Sequence, residues 1–392
     1  MNLQYLKEIF FIIGEDKKKL PLMGILFLLL SILDLAGIGL IAPYITLIAN
    51  SEDFIDTRIY DLYSNLGFSL EVSDIIFILG LVLGLVFFIK TVAAILINYI
   101  LLKFCHGQSV ALRASLMNSY QGLPYVKYID KSSSQYIHNI NLADKFATGT
   151  LLAFLRIVCE GTVVIAIVIF LAFSDLIALL SLSSMLIILA LFYDKYFKPK
   201  INSYGEAANS SSIKILKSIQ ESMTGLKEVR VLRKEGYFFT SMLESAKLFA
   251  NVSVKASMVN LVPRFVLELA MVFFIVFLVL SSSLMSRSSS ELIPLIGMFA
   301  VASLKLVPAA TSIISGISKM RFYRDAVSLL YQDIISSDSN TKILLSPDTD
   351  LSESFEKISL KNIEFSYPNT NNPAIKDLTV EINKSDVVGF IG

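Results

Sequence analysis

The sequence predicts an all-α membrane protein with six transmembrane helices and long helical extensions on one side, followed by a short β-rich segment. Hydrophobic residues make up 54% of the 392 residues, and the mean hydropathy is +0.66. Only 17% of the residues are charged, against about 25% in ordinary soluble proteins. The apolar residues are also gathered into runs of the length that a bilayer-spanning helix needs, about 20 residues.

Six apolar runs predict six membrane spans. They cover roughly residues 20–49, 75–102, 150–173, 176–193, 261–280 and 292–314. The first run follows three consecutive lysines and is longer than the apolar core of a secretory signal peptide, which is about 7–15 residues. We therefore interpret it as a first transmembrane helix. The third and fourth runs are separated only by Ser174 and Asp175, which predicts a tight hairpin.

The charges of the connecting segments predict the orientation. Segment 50–74 carries six acids and one base, whereas segment 194–260 carries eleven lysines and arginines. Because basic connections remain on the cytoplasmic side, both termini are predicted to be cytoplasmic. The protein is then a multi-pass protein of the cytoplasmic (inner) membrane. Its net charge of +1 gives no reason to expect a nucleic-acid partner.

The two connections on the basic side, 103–145 and 194–260, contain few glycines or prolines and keep a helical period. This pattern predicts membrane helices that project far into the cytoplasm, where they dock another domain. On the opposite side, apolar and acidic residues interleave over 52–70. We interpret this segment as an amphipathic helix on the outer membrane surface, with an ordinary structured loop as the alternative.

The chain contains few residues suited to metal binding or catalysis. Cys105 and Cys159 have no paired spacing that would indicate a disulfide framework or a zinc site. Neither His106, which follows Cys105, nor His138 lies near a cluster of cysteines or acids, and both are expected to be polar surface residues. We therefore expect no catalytic residue and no metal site within these residues.

Charged residues inside apolar spans are costly and indicate function. They are Asp34, Lys90, Glu160, Arg264, Glu268 and Lys305. At about 1.5 Å of rise per residue, Lys90, Arg264 and Lys305 lie roughly 20–28 Å below the outer surface on three different helices. This shared layer predicts a substrate site for an anionic head group such as a phosphate or pyrophosphate. Alternatively, Lys90 pairs with Asp34. In that case Lys305 pairs with Glu268, and Arg264 snorkels to the cytoplasmic interface.

The end of the chain has a different pattern. Alternating apolar residues predict a strand over Ile358–Phe365 with a slip after Leu360, and a second strand is predicted over 374–382. The apolar run 386–391 predicts a buried strand that ends at Gly392. A strand that ends in glycine is how a phosphate-binding loop begins.

Six spans, long basic-side helices, a linker and then LKNIEFSYPNTNNPAIKDLTVEINKSDVVGFIG resemble an ABC transporter of the type IV exporter family. The resemblance implies a transmembrane domain over 1–335, a linker over 336–355 and the N-terminal fragment of the ABC ATP-binding domain over 356–392. Tyr367 matches the residue that stacks on adenine in that family, and Gly392 matches the first glycine of the Walker A loop. Taken without this context, Tyr367 is more simply a strand-end aromatic residue.

The resemblance also implies cofactors and a partner. The Walker A lysine, the Mg²⁺-binding Ser or Thr and the catalytic Glu of the family have no counterpart within the 392 residues. The complete protein would be an ATP-hydrolysing translocase that uses ATP and Mg²⁺, which this chain by itself is not expected to bind fully. Such exporters need two six-helix halves, which implies a homodimer.

Two segments of the basic-side connections resemble the coupling-helix regions that transmit ATP-driven closure to the membrane helices. They are GLPYVKYIDKSSSQYIHNI, between the second and third spans, and TGLKEVRVLRKEGYFFTSMLESA, between the fourth and fifth. The alternative for both segments is a solvated, charged helix.

Within this family the chain most resembles bacterial flippases for lipid-linked oligosaccharides of protein N-glycosylation. The resemblance is carried by GLIAPYITLIANSEDF, by LVPRFVLELA around Arg264 and by LKLVPAATSI around Lys305. In those flippases the positions of Lys90, Arg264 and Lys305 are basic and line the cavity that receives the lipid pyrophosphate. Two of the three are lysine here, which keeps the charge but loses the bidentate geometry of arginine.

Other functions remain open on the sequence. An exporter of another lipid, a peptide or a drug would share the architecture, and a membrane receptor or channel without ATPase activity is a further alternative. The β-rich segment argues against the last of these. Membrane lipids and an amphipathic anionic substrate are the expected partners, together with a second copy of the protein.

Overall fold

The computed structural model describes residues 3–49, 72–129, 131–173, 176–284, 289–338, 356–367 and 373–389. The helices are α1 (Leu3–Ile13), α2 (Leu20–Ala49), α3 (Val72–Gln121), α4 (Tyr125–Tyr128), α5 (Ser133–Asp144), α6 (Leu152–Ala172), α7 (Leu176–Thr224), α8 (Leu226–Val231), α9 (Glu235–Leu284), α10 (Ser289–Phe322) and α11 (Arg324–Asp338). A 3₁₀ segment joins α1 to α2, and a π-helical segment, Lys145–Leu151, joins α5 to α6. Two strands follow, β1 (Lys357–Phe365) and β2 (Ile375–Asn383).

Five stretches of the described chain are long and apolar enough to cross a membrane. They are Leu3–Gly37, Ile76–Gln121, Ser133–Ala172, Leu176–Thr224 and Glu235–Leu280. These stretches overlap the first five predicted spans, so a mostly helical, multi-pass membrane protein is confirmed. The sixth predicted span, 292–314, lies within α10 and stays a prediction.

Several helices continue well beyond the predicted membrane boundaries. We refer to residues 103–149, 194–260 and 315–338, which lie outside the predicted spans, as the extramembrane extensions. Within them α3 continues to Gln121, α7 continues to Thr224 and α9 begins at Glu235. The helices α7 and α9 pack against each other more extensively than any other described pair. The long helical connections predicted from periodicity are therefore present as helices.

Two clusters of buried apolar side chains organise the packing. The first joins α1, α2, α3, α6 and α11 through residues such as Ile9, Phe27, Leu101, Leu155 and Leu330. The second joins α6, α7, α9 and α10 through residues such as Ile167, Leu182, Phe274, Phe299 and Leu306. Because both clusters include α6 and the α10–α11 segment, these elements link the two halves of the helical body.

Small residues permit the closest contacts of α10. A Cβ atom on Gly205 of α7 would lie 2.1 Å from the carbonyl oxygen of Phe322, the last residue of α10. A Cβ on Gly149 would lie 2.3 Å from the ring of Tyr323, which follows α10. Gly205 therefore allows a close approach of the Phe322 backbone, and Gly149 leaves the space that the Tyr323 ring occupies.

The strands β1 and β2 pair in an antiparallel sheet. Their register runs from Lys357 opposite Asn383 to Phe365 opposite Ile375, with a shift between Leu360 and Ile363. The slip predicted from the apolar pattern is thus confirmed.

The third predicted strand differs from the sequence expectation. Its described part, Asp386–Gly389, has no regular secondary structure, and Val387 is 100% exposed. A buried strand needs neighbouring strands and a covering layer, and the described part of the sheet has only two strands.

Some predictions fall on residues outside the described part of the chain. They include the outer amphipathic helix at 52–70, Gly392 and most of the linker, 339–355. The helix α11 continues to Asp338 and so overlaps the first residues of the predicted linker. Ser336 supports this last turn because its hydroxyl donates to the carbonyl of Asp333 at 2.9 Å.

The close approach at Gly205 gives a test of the packing. We expect Gly205→Ala to destabilise the protein by about 1–3 kcal/mol, since the Phe322 carbonyl is backbone and must shift to admit a methyl group. Gly107→Ala in α3 is the matched control, because nothing lies within 4 Å of its Cβ position. Alanine there should stabilise the helix by up to about 1 kcal/mol. Thermal unfolding in detergent measures both, and equal melting temperatures for the two variants would contradict the packing.

Candidate functional site

Three charged side chains from three helices meet inside the membrane domain. The carboxylate of Asp34 on α2 lies 2.5 Å from Nζ of Lys90 on α3 and 2.9 Å from Nζ of Lys305 on α10. Asp34 is 2% exposed and Lys90 is 8% exposed, whereas the side chain of Lys305 is 40% exposed. We call these three residues the membrane cluster.

The membrane cluster carries an excess of positive charge. Two ammonium groups share one carboxylate, and both contact the same oxygen, Oδ1. A buried carboxylate is strongly destabilising without a partner, so Asp34 ties α3 and α10 to α2. Asp34 lies near the middle of α2, about 21 Å along the helix from Leu20 at 1.5 Å per residue.

Neighbouring groups add to the polarity of this region. Nζ of Lys90 lies 4.8 Å from the centre of the Phe87 ring, a distance suited to a cation–π contact. On α6, Glu160 interacts electrostatically with Lys305, Asp34 and Arg156. Arg156 is a charged residue that our sequence reasoning omitted. It lies within the predicted span 150–173, so the same search for charges in apolar runs would have found it.

Arg264 lies apart from this ion pairing. Its Nε donates to Glu268, one helical turn further along α9, at 2.9 Å, and both side chains are at least half exposed. The predicted pair of Lys90 with Asp34 is confirmed. The predicted pair of Lys305 with Glu268 is wrong, because Asp34 lies opposite Lys305 while Arg264 pairs with Glu268 within α9.

A second group of polar contacts attaches α11 to the other helices. The first of them joins α11 to α1. The carboxylate of Glu8, which is 4% exposed, accepts hydrogen bonds from Nη1 and Nη2 of Arg324 at 2.6 and 3.0 Å. The guanidinium of Arg324 also lies 4.3 Å from the centre of the Tyr5 ring. The Tyr5 hydroxyl donates to the carbonyl of Met320 at 2.7 Å. The N-terminal helix is thereby fastened to the end of α10 and the start of α11.

A buried series of hydrogen bonds holds Asp325, the second residue of α11. The amide of Asn209 on α7 donates to Asp325 at 2.7 Å, and its Oδ1 lies 2.9 Å from Nε2 of His138 on α5. Since Oδ1 of Asn209 accepts, Nε2 of His138 carries the proton in this network. His106 is exposed as predicted. The prediction for His138 is wrong, because its ring is 1% exposed and enclosed by α5, α7 and α11.

Asp333 forms a third attachment, one turn before the end of α11. It is 4% exposed and accepts hydrogen bonds from Tyr120, from Lys131 and, at 2.9 Å, from Asn139. Burial, together with the Asp333 carboxylate, raises the pKa of Tyr120 well above its usual value of 10, so the phenol keeps its proton and donates. Three donors from α3, α5 and the loop between them thus compensate one buried carboxylate.

Comparison with known proteins shows the family to which the chain belongs. The ABC transporter transmembrane region family matches residues 20–305. The chain belongs to the ABC transporter transmembrane family. Its structure is also similar to that of a bacterial Atm1-family ABC exporter with ATP bound, with a TM-score of 0.63 and 12% sequence identity. The match covers 94% of this chain and 62% of the exporter chain, and at this identity it shows the shared exporter fold alone.

In this ABC exporter fold, α4 and α8 lie within the two segments predicted as coupling regions. Apolar side chains at both places are exposed: Tyr125 by 72%, Val231 by 76% and Leu232 by 66%. A cleft beside α8 is lined by Gly225, Val229, Tyr237 and other residues of the same turn. Grouped apolar exposure of this kind is typical of a surface that packs against another domain.

The predicted nucleotide contacts are described only in part. Tyr367 follows β1, is 40% exposed, and its ring lies 5.1 Å from that of Phe365 in an edge-to-face arrangement. Gly392 lies outside the described residues, so the assignment of both residues to ATP stays a prediction.

The contact between α1 and α11 gives a stability prediction. We expect Glu8→Gln to lower the free energy of unfolding by about 1–3 kcal/mol, because the Arg324 guanidinium loses its charged acceptor in a largely buried position. Glu221→Gln is the control, since this exposed carboxylate lies 3.8 Å from Lys217, and such surface pairs contribute about 0–1 kcal/mol. Denaturant unfolding in detergent compares the two. A loss no larger for Glu8→Gln than for the control would show that the α1–α11 contact contributes little.

Burial of His138, which lies in the extramembrane extensions, predicts a pH dependence. Desolvation lowers the pKa of His138 below its ordinary value of 6.5, so the unfolded state binds the proton more tightly than the folded state. The stability contributed by the neutral ring is therefore fully present above pH 6.5 and declines as the pH falls below it. We expect His138→Gln to flatten the melting-temperature profile between about pH 7 and 5, whereas the exposed His106→Gln should follow the wild type. Parallel profiles for wild type and His138→Gln would refute this assignment.

Proposed function

We propose that this chain is the membrane-spanning part of an ATP-driven exporter that moves an amphipathic anionic substrate across the cytoplasmic membrane. The best candidate for the cargo is a polyprenyl-pyrophosphate-linked oligosaccharide. The observation that carries the proposal is the membrane cluster, in which Lys90 and Lys305 together exceed the charge of Asp34 by one unit.

The geometry of the membrane cluster suits an anion that arrives from a cavity. Lys305 is the more exposed of the two cations, while Lys90 is almost fully buried. A pyrophosphate group would first contact Lys305 and would then compete with Asp34 for both ammonium groups. Lysine binds phosphate oxygens as a compact point charge, so exchange between a carboxylate and a phosphate requires little reorientation. Arg264 would add a third cation if its pair with Glu268 opens.

The source of energy is also part of the proposal. Tyr367 would stack on adenine and Gly392 would open the Walker A loop, with ATP and Mg²⁺ bound once the nucleotide-binding domain is complete. The surfaces around α4 and α8 would receive the movements of those domains. ABC exporters act as dimers, and we propose a homodimer with the termini and the extramembrane extensions in the cytoplasm. Since the chain spans 62% of the length of the exporter it matches, the activity of the whole protein belongs to the proposal.

Charge substitution in the membrane cluster tests the cargo. In proteoliposomes, with the chain continued through a complete ATP-binding domain, Lys90→Gln/Lys305→Gln should lower ATP-dependent flipping of a pyrophosphate-linked glycan lipid about tenfold or more, since charged hydrogen bonds are worth roughly that factor. Arg264→Gln should give a smaller loss. The control is Lys255→Gln, an exposed lysine on α9.

Folding and cargo class are checked in the same assay. The double glutamine variant leaves the buried Asp34 carboxylate without a cationic partner, so we expect it to melt at a lower temperature, and transport is compared at temperatures at which thermal unfolding shows every variant to be folded. Lys90→Arg/Lys305→Arg should restore much of the flipping. Undiminished transport of the glycan lipid by the double glutamine variant would refute the anion site. Stimulation of the ATPase by an uncharged drug or a peptide, with none by the pyrophosphate lipid, would assign the exporter to another cargo class.

A further inference from the structure

A polar cavity lies in the extramembrane extensions, apart from the membrane cluster. It has a volume of about 320 Å³ and lies between α7, α9, the end of α10 and the π-helical segment before α6. Its polar lining includes Lys145, Thr148, Ser253, Ser257, Asn260 and Lys319. The volume is at the lower end of the range of small-molecule sites, about 300–1,000 Å³.

The charge of this cavity is entirely positive. Lys145 and Lys319 line it, and no aspartate or glutamate is among its described lining residues. Neither ammonium forms an ion pair with an acid in the described part of the chain. Lys145 is also partly buried, and withdrawing an unpaired ammonium from water is unfavourable. The cavity therefore differs from the membrane cluster, where Asp34 compensates both lysines, and it is suited to an external anion.

The remaining polar groups extend this complementarity. The hydroxyls of Thr148, Ser253 and Ser257 can donate to anionic oxygens. The Oδ1 atom of Asn260 is buried without a hydrogen-bond partner within the described residues. That atom is shielded from solvent, so the lysines and the hydroxyls are the groups that a ligand in the cavity can contact.

The position of the cavity relates it to the membrane cluster. Lys305 and Lys319 both lie on α10, fourteen residues apart, which corresponds to about 21 Å of helix at 1.5 Å per residue. Fourteen residues are close to four complete turns at about 3.6 residues per turn, so the two lysines project from a similar side of a regular helix. Asn260 directly precedes the predicted fifth span, and Lys319 follows the predicted sixth. The cavity thus lies at the boundary of the membrane domain from which a substrate would approach.

We infer that the cavity lined by Lys145 and Lys319 is a second anion site, which receives the phosphate or pyrophosphate head group of the cargo before it reaches the membrane cluster. This inference rests on the proposed function and adds a first binding position for the same cargo. The two lysines bind the anionic oxygens, and the hydroxyls of Ser253 and Ser257 on α9 donate to them. α10 then provides a positively charged position at each end of a path about 21 Å long.

Equilibrium binding of geranylgeranyl pyrophosphate tests the inference. The full chain is placed in phosphatidylcholine nanodiscs, which contain no competing anionic lipid. We expect Lys145→Gln/Lys319→Gln to weaken binding at the cavity about tenfold or more, so that only the binding at the membrane cluster remains. Lys145→Arg/Lys319→Arg should retain most of the binding at the cavity. Lys255→Gln is the matched control, because this exposed lysine on α9 does not line the cavity. Unchanged melting temperatures verify that the variants fold.

A parallel variant separates this inference from the proposed function. If Lys90→Gln/Lys305→Gln loses binding while Lys145→Gln/Lys319→Gln does not, the cavity site is wrong and the membrane cluster stands. The reverse result supports the cavity site and overturns the membrane cluster as the head-group site. Equal binding in all variants overturns both.

Two displacement measurements distinguish the cargo head group from a membrane phospholipid as the bound anion. Displacement of the lipid by inorganic pyrophosphate, in the wild type but not in Lys145→Gln/Lys319→Gln, supports a site that binds the anionic group itself. Complete displacement by phosphatidylglycerol added to the nanodiscs would assign the site to a membrane phospholipid and overturn its role in receiving cargo.

Discussion

A carboxylate buried in an apolar interior must be paired, and this constraint determines how the helices of the membrane domain meet. Asp34 lies near the middle of α2 and is 2% exposed. It is compensated by one lysine from α3 and one from α10. Since removing either side of such a pair leaves an uncompensated charge, three helices are fixed relative to one another at one depth. The two lysines exceed the charge of one carboxylate by one unit, and our proposal of an anion site rests on this excess.

The same constraint recurs where the chain leaves the membrane domain. Glu8, Asp325 and Asp333 are compensated by donors on different elements, and each of the three contacts includes a residue of α11. Along the chain, α11 follows α10, which carries Lys305, and precedes the C-terminal sheet. Movement of α11 must therefore be shared with α1, α5 and α7 or must break charged hydrogen bonds. Under the proposed function, such a helix would transmit the motion of a nucleotide-binding domain to the membrane helices.

The two cationic regions along α10 differ in whether their lysine is paired with an acid. Lys305 contacts a carboxylate, so a substrate must compete for it, whereas Lys319 forms no ion pair with a described acid. An anionic ligand would therefore bind Lys319 more readily. To bind Lys305 it must also displace the Asp34 carboxylate, which costs electrostatic energy. If both regions bind the cargo as we propose, this difference would favour stepwise binding, and the return of Asp34 to both lysines would assist release from the membrane cluster.

The sequence by itself determined the class of the protein, the approximate positions of the first five spans, the helical extensions and the slip in β1, because each depends on local hydropathy or period. It also identified Asp34, Lys90 and Lys305 as charges that an apolar span must compensate. The sequence also offered the pair of Lys90 with Asp34, but only the tertiary structure showed that Lys305 shares this carboxylate and that Glu268 pairs with Arg264. Burial of His138 and the three donors on Asp333 were likewise inaccessible to sequence reasoning. Such contacts depend on how helices rotate and cross, and residues distant in the chain set these angles by packing together.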